Sequence, residues 1–451
     1  MKISIITAFP QLYESFLSTT LVGNAVSKNL ISFNLVRFAD LCPIKVRIDE
    51  PTAGPGPGMV IKPDIIERGI AQCEAQFGKG FKIFFSPQGT LLTQPLLKNL
   101  ATQFFATSKE TNASELKVQA AQQNNHIILI CPRYEGVDAR VEEYYADLVL
   151  SIGDYVLMGG DLPAQVFIEG FLRLMQGVIG NQESIDQESF ESAFFDYPSY
   201  GQEPVWKEQE LPTILRSGNH AAIKKWRSEQ ACKKTVLNRF DWFKAASPTQ
   251  EELSLAQHCI PPHYAALMHT DVMIKGIGVG NTSVTSIDLH DIARSGATYG
   301  LKNLFMVSPL LDQQAIMNEF LKFWRSPEGA AYNPGRSQAV CAIEQTLSLD
   351  QTIEFIEKKE GKRPLIIATS AKNQNHEKII DYQSQGLIWK QNRPILFLLG
   401  TGQGLSDSAL EKCDYLLIPL QGMTNFNHLS VRSATAIIFD RWLGLNPKIQ
   451  K

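Results

Sequence analysis

The chain has 451 residues, 44% hydrophobic and 20% charged, with a formal net charge of −3. These values describe a globular chain too long for one ordinary core, so two or three domains are expected at roughly 150 residues each. They exclude an overall basic coat and, with no apolar run near the roughly 18 residues of a bilayer span, a membrane segment; seven scattered cysteines without a Cys-x-x-Cys pair exclude a disulfide framework and a zinc site and point to a reducing cytoplasm.

The start, Met1 to Pro10, lacks a signal-peptide cleavage pattern and reads as a buried first strand. Further apolar runs at Phe81 to Phe85, Ile127 to Cys131 and Leu148 to Ile152 read as strands. Helical periodicity near 62–76, 95–106 and 161–177 separates them, which is the pattern of an α/β domain with a mainly parallel sheet. The polar stretch 107–125 reads as an exposed insertion. From about 206 the strand signal stops, and Ser217-Gly218-Asn219 opens a long helical pattern through Arg239. Between Arg216 and Lys244 eight basic residues face only Glu229 and Asp241; this is either a phosphate-binding patch or a solvated helix face. After Pro261-Pro262 a second α/β pattern begins, with strands near 304–308, 364–369, 394–399 and 414–418 and helices near 289–299, 312–324, 349–360 and 430–443. The expected boundaries are 1–180, 181–262 and 268–451.

Four strand-end loops carry unusual residue sets. They are the proline-glycine run Gly54 to Met59, Ser86-Pro87-Gln88-Gly89, Pro132-Arg133-Tyr134-Glu135-Gly136, and Ser151 to Gly160. In parallel α/β sheets ligands bind at the carboxyl ends of strands, so these loops form a candidate ligand shell. No G-x-G-x-x-G follows the first strand, and neither a phosphate-loop nor an H-E-x-x-H motif occurs, so a different cofactor loop is implied.

Taken in order, SPQG, RYEG, SIGDYVLMGGDLPA, RLMQGVIG and SGNHAAIKKWR resemble the bacterial TrmD-type tRNA (guanine-N1) methyltransferases across about 1–260. The resemblance implies a trefoil-knotted SPOUT-type α/β domain, one of the rare knotted folds, working as a homodimer with active sites at the interface. It implies S-adenosylmethionine as cofactor, with Mg2+ as a further requirement, tRNA as partner, and no DNA. By carry-over, the cofactor shell comprises Phe84, Ser86, Pro87, Gln88, Pro132, Tyr134, Glu135, Ile152, Gly153, Asp154, Tyr155, Val156, Leu157, Gly159, Gly160 and Pro163. Guanine N1 is protonated at neutral pH, so its methylation needs a base and a positive group near O6. The resemblance places Arg173 in the second role and Glu188 in the first, where the family usually has aspartate; Asp186 and Asp196 stay open as alternatives. Arg216, Asn219, His220, Lys224, Lys225 and Arg227 are the candidate tRNA contacts, while Trp226 and Trp242 are expected in the core. The family's usual R-P-Y-G-G-G-P-G-M stretch is altered at Pro51 to Met59, and Pro132 stands where a glycine is expected.

The segment from Ser286 to Gly300, the Leu398 to Leu405 loop and the stretch from Ile418 to Ala434 resemble the three motifs of SpoU-like RNA methyltransferases. The resemblance implies a second knotted SPOUT-type domain, so the expected architecture is two such α/β domains with a small helical tRNA-binding unit between them. Arg294, Gly400, Gly404, Leu405, Ile418 and Ser430 are its candidate site residues. Asp288 and His428 replace the usual asparagines, so the domain either methylates a different RNA atom or binds cofactor or RNA without catalysis. The expected activity is methyl transfer to N1 of guanosine 37 of tRNA. An RNA 2′-O-methyltransferase driven by the C-terminal domain and a non-catalytic RNA-binding scaffold are the alternatives.

Overall fold

A computed structural model describes residues 1–105, 125–179, 189–190, 192–372 and 377–446. Glu188 and Asp186, nearly all of the polar stretch 107–125, and His376 lie outside the described residues. The chain divides into two compact units, 1–186 and 187–451.

The first unit is built on a parallel sheet of β1 (Lys2–Thr7), β2 (Ser32–Arg37), β3 (Phe81–Leu91), β4 (His126–Ile130) and β5 (Leu148–Ser151), in the order β2-β1-β4-β3-β5. The central strand β4, sequence HIILI, is buried at every position. Such a continuous apolar run is what a strand covered on both faces requires. Ile3, Ile5, Ile83, Ile127 and Leu129 face one core, Ile6, Phe84, Ile128 and Ile130 the other. Helix α1 (Asp161–Arg173) covers the first face, burying Ala164, Phe167, Ile168, Phe171 and Leu172. At roughly 1.5–3 kcal/mol per fully buried large apolar side chain, this two-sided burial is the main stabilising term.

The second unit carries a seven-stranded parallel sheet among the described residues: β6 (His263–Met268), β7 (Asn303–Val307), β8 (Ile343–Thr346), β9 (Leu365–Thr369), β10 (Ile379–Ile380), β11 (Ile395–Gly400) and β12 (Tyr415–Leu417), in the order β8-β7-β6-β11-β9-β12-β10. Helices α3 (Ser286–Thr298) and α4 (Val431–Leu443) pack on it. The long helix α2 (His220–Asn238) and its short successor Phe240–Ala245 share this core, since Cys232, Val236, Phe240 and Phe243 cluster with Ile388, Trp389, Phe439 and Trp442. The Lys244 ammonium donates to the Arg441 carbonyl at 2.5 Å. The helical segment and the C-terminal sheet therefore share one packed core.

Both sheets are parallel, as the α/β reading requires. Four strands of the two sheets had no clear sequence signal: β2, β8, the two-residue edge strand β10 and the interior strand β6. In β6 the sequence HYAALM combines a histidine with two alanines, so its apolar run is weak. His263 is nevertheless fully enclosed. Its Nδ1 bonds the Pro261 carbonyl, and Nε2 accepts from the indoles of Trp442 at 3.0 Å and Trp389 at 3.3 Å.

Candidate active site

A turn within β3 and the loops after β4 and β5 lie on three neighbouring parallel strands of the first sheet. β3 breaks register against β5 between Phe85 and Thr90, and this irregularity projects the Ser86-Pro87-Gln88 turn out of the ladder. Pairing then resumes, and the Leu92 amide donates to the Ser151 carbonyl, which holds this turn beside the loop that begins at Ile152. The loop after β4 is bound on two sides. The Gly160 amide donates to the Pro132 carbonyl at 2.8 Å, while the Glu135 amide donates to the Met59 carbonyl at 3.0 Å. The sequence-separated sets around 54–59, 86–89, 132–136 and 152–160 thus converge.

Gly159 and Gly160 are required by this closeness. A Cβ on Gly159 would lie 2.5 Å from Arg133 Cδ and 2.8 Å from the Pro132 carbonyl oxygen; one on Gly160 would lie 2.9 Å from the Cys131 Cα. Tyr134 holds a left-handed φ of 60°, uncommon without glycine, between buried Pro132 and Gly136. The side chains of Tyr134, Val156 and Met158 are largely exposed, Val156 at 88% and Met158 at 86%. Phe84 and Pro163 are buried beneath the loops, and Gln88, Glu135, Asp154, Tyr155 and Leu157 sit at their surface.

One organising residue had no sequence signal for its role. Asp161, the first residue of α1 and 1% exposed, receives both Nε and an Nη of Arg133, at 3.0 and 2.7 Å. Its other oxygen accepts from Thr7 Oγ1 and Tyr13 OH. Burial, with Cys131 and Asp161 alongside, pushes the Tyr13 phenol far above its ordinary range, so it remains a donor. Arg133 also donates to the Met158 carbonyl at 3.4 Å and lies over the Phe9 ring. Asp161 therefore ties the first strand, the loop after β4 and the loop after β5 into one rigid frame. The acid at the start of an otherwise apolar helix, DLPAQVFI, was the only hint, because Thr7 and Tyr13 lie some 150 residues away and Arg133 lies in another loop, 28 residues before it.

Arg173 is exposed at the opposite end of α1. With twelve residue steps from Asp161, it stands about 18 Å along the helix axis from the loop frame. Glu188 lies outside the described residues, and Asp196 is half-buried.

The six candidate tRNA contacts are all exposed. Asn219 caps α2 by accepting from the Ala222 amide, and the Arg227 guanidinium lies 4.5 Å from the Tyr197 ring centre. The basic patch is narrower than its composition, since Arg239 is paired with Asp241 and Lys244 with a carbonyl. Trp242 packs against Phe190 and Phe195, and Trp226 against Tyr200, which places both among neighbouring side chains.

The second unit has a cavity of about 620 Å3 at the carboxyl ends of β6, β11, β9 and β12. Gly400, Gly404, Ile418 and Ser430 line it, together with His269, Thr282, Asp288 and His428. Leu405 is buried behind the Gly400 turn, and Arg294 points elsewhere, 3.9 Å from Asp291. Ser430 is the cap of α4, accepting from the Ser433 amide. Asp288 has a partner that an asparagine could not hold as an ion: Arg432 Nη1, at 3.0 Å.

Residues 1–105 and 104–245, more than half of the chain, match the family profile described as tRNA (guanine-1)-methyltransferase TrmD. The chain belongs to this family. Residues 262–444 match a second profile, described as SAM-dependent RNA methyltransferase. A tRNA (guanine-N(1)-)-methyltransferase of Oleidesulfovibrio alaskensis is 33% identical over 450 residues, covering 98% of this chain and 99% of the relative. One from Nitratidesulfovibrio vulgaris has the same identity and coverage. A Gloeothece citriformis relative of that name is 37% identical over 246 residues, 54% of this chain but 97% of its own. The family therefore includes full-length counterparts of this chain and shorter members that lack a match to nearly half of it.

S-adenosylmethionine is the cofactor of this family. In the first unit the bare Gly159-Gly160 backbone packs directly on Arg133 and Pro132, where a Cβ would overlap them, and this brings the loops after β4 and β5 together. The C-terminal cavity falls within the roughly 300–1,000 Å3 of ordinary ligand pockets. Among the described residues no group of three His, Cys, Asp or Glu side chains gathers.

Proposed function

We propose that the first unit and α2 together methylate N1 of the guanosine at position 37 of tRNA, 3′ of the anticodon. The observation that carries this reading is the convergence of the three loops on β3, β4 and β5 in a chain of this family. S-adenosylmethionine, when bound, supplies an electrophilic methyl group on a sulfonium. The loop backbone from Phe84 to Gln88, Pro132 to Glu135 and Ile152 to Leu157 orients that donor, and the Arg133–Asp161 pair keeps the frame from relaxing. Glu188 takes the N1 proton, making N1 a nucleophile, and the Arg173 guanidinium stabilises the negative charge that then develops on O6. Arg216, Asn219, His220, Lys224, Lys225 and Arg227 hold the tRNA backbone.

The length of α1 supports a site shared between two subunits. Arg173 stands a helix length from its own loop frame, and the exposed Val156 and Met158 give that frame an apolar surface suited to a second copy. A cytoplasmic homodimer, knotted at the cofactor loops, is the assembly this reading implies.

The test is transfer of labelled methyl from S-adenosylmethionine to unmodified tRNA transcripts carrying guanosine or adenosine at position 37, with mass spectrometry of the digested product. N1-methylguanine only in the guanosine transcript is the expected result. Label confined to ribose 2′-hydroxyls would overturn the assignment and move the activity to the C-terminal domain.

A further inference from the structure

The lining of the C-terminal cavity contains a hydrogen-bond chain whose direction is fixed by its end. Thr401 Oγ1 donates to the Met268 carbonyl at 2.7 Å. A hydroxyl has one proton, so at the 2.6 Å contact between Thr282 and Thr401 the donor is Thr282. With its proton spent there, Thr282 Oγ1 accepts at its 3.0 Å contact with His269 Nδ1. His269 therefore carries its proton on Nδ1, and Nε2 presents a bare lone pair. The residue is 1% exposed, and Nε2 has no hydrogen-bond partner among the described residues. Burial lowers the imidazole pKa to about 4 despite the opposing effect of Asp288, so the ring is neutral near pH 7. An unpaired buried acceptor is destabilising, and a ligand donor would relieve that cost.

We propose that His269 Nε2 is the acceptor that positions S-adenosylmethionine in the C-terminal cavity, taking a hydrogen bond from one of its N–H or O–H groups. This rests on reading residues 262–444 as a methyl-donor domain. The donor is favoured over RNA as the occupant because of where His269 sits. It is a buried lining residue, linked through Thr282 to Thr401 in the same turn as Gly400 and Gly402, which also line the cavity. A Cβ on Gly402 would lie 2.7 Å from the Met273 carbonyl oxygen, and that backbone also accepts from the Gln403 amide. The turn is thus braced against the strand Val272–Ile274 and holds the acceptor still. A lone pair at this point also sets a selection rule, since it rejects a ligand that presents a carboxylate or another acceptor there. His269 is a positioning residue under this proposal, with no proton transfer assigned to it.

The test is calorimetric titration of the full chain with S-adenosylmethionine, alongside tRNA-binding measurements. Wild-type protein is expected to bind two equivalents per chain. His269→Leu is expected to weaken one of them about tenfold, the effect of a hydrogen bond worth about 1.4 kcal/mol, while leaving the other unchanged. His269→Gln, whose amide oxygen can reach the Nε2 position, is expected to restore most of the loss; His269→Asn, which reaches only the Nδ1 position, is not. If His269→Leu does not fold, the Gln and Asn variants decide. Two equivalents with unaltered affinity in His269→Leu, or a loss confined to tRNA binding, would overturn the role of His269 while leaving the domain reading intact. A single equivalent in the wild-type protein would overturn the domain reading itself.

Discussion

The residue that most determines the first site is Asp161, which touches no part of the proposed reaction. Its carboxylate closes a buried network of Thr7, Tyr13 and Arg133, so truncation leaves a guanidinium without its partner. Breaking a buried pair of this kind costs about 3–5 kcal/mol. Asp161→Ala should lower the stability of the first unit by that amount in denaturant titration, and Asp161→Asn by less, because the amide oxygen still accepts from Thr7 and Tyr13. A change below about 1 kcal/mol in the alanine variant would show that the frame does not depend on the pair. Sequence reading reached the loops around this residue because glycine-rich strand ends are local signals. It did not reach the residue's role, because its partners are assembled only by folding.

His263 offers a second residue-scale expectation, with a definite sign. Burial lowers its pKa to about 4, from an ordinary value near 6.5. Between those two values the unfolded chain binds more protons, so stability is complete above about pH 6.5 and declines as pH falls toward 4. At pH 5 the loss from this one group is on the order of 2 kcal/mol, and His269, lowered for the same reason, adds in the same direction. Denaturation midpoints of the wild type should fall between pH 7.5 and pH 5, and His263→Phe should flatten that slope while losing stability at both values, since two indole donors then go unpaired. An unchanged slope would place the acid sensitivity elsewhere.

At the scale of elements, α2 is divided along its length. Ala231, Cys232, Thr235 and Val236 bury one side of its C-terminal half with Lys233 and Lys234 exposed opposite, while Lys224 and Lys225 are exposed in its N-terminal half, about two turns before the buried residues. Sequence composition raised both a phosphate patch and a solvated face, and the structure narrows the available charge by pairing Arg239 and Lys244. Replacing Lys224 and Lys225 with glutamine should weaken tRNA binding at low salt and reduce the salt dependence of log K by about one for each phosphate no longer neutralised. The thermal midpoint should stay within about a degree of wild type, because neither side chain is packed. Equal tRNA affinity at 50 mM salt would remove α2 from the interface. The strands show the same division of legibility: HIILI and ILFLLG are continuous apolar runs and were readable, whereas HYAALM relies on partners in distant helices to bury its histidine.

The whole chain is a family member with a second α/β unit that the shorter Gloeothece citriformis relative does not match. The fold class was readable because β/α alternation restarts after Pro261-Pro262. The sharing of one core by α2 and the C-terminal sheet was not, since it depends on contacts such as Phe240 with Trp389 across some 150 residues of sequence. It follows that α2, proposed to bind tRNA, packs on the same core as residues that line the second cavity, Leu399, Leu417, Leu420 and Ile438 among them.

The central claim is that residues of the first unit and its following segment carry out methylation at guanine N1, and single-turnover methyl transfer to the guanosine-37 transcript tests it most directly. Glu188→Ala and Arg173→Ala should each slow formation of N1-methylguanine by at least about 100-fold, the usual contribution of a positioned acid–base or charge-stabilising group, while Asp196→Ala stays near the wild-type rate. Wild-type rates in the Glu188 and Arg173 variants would contradict the account.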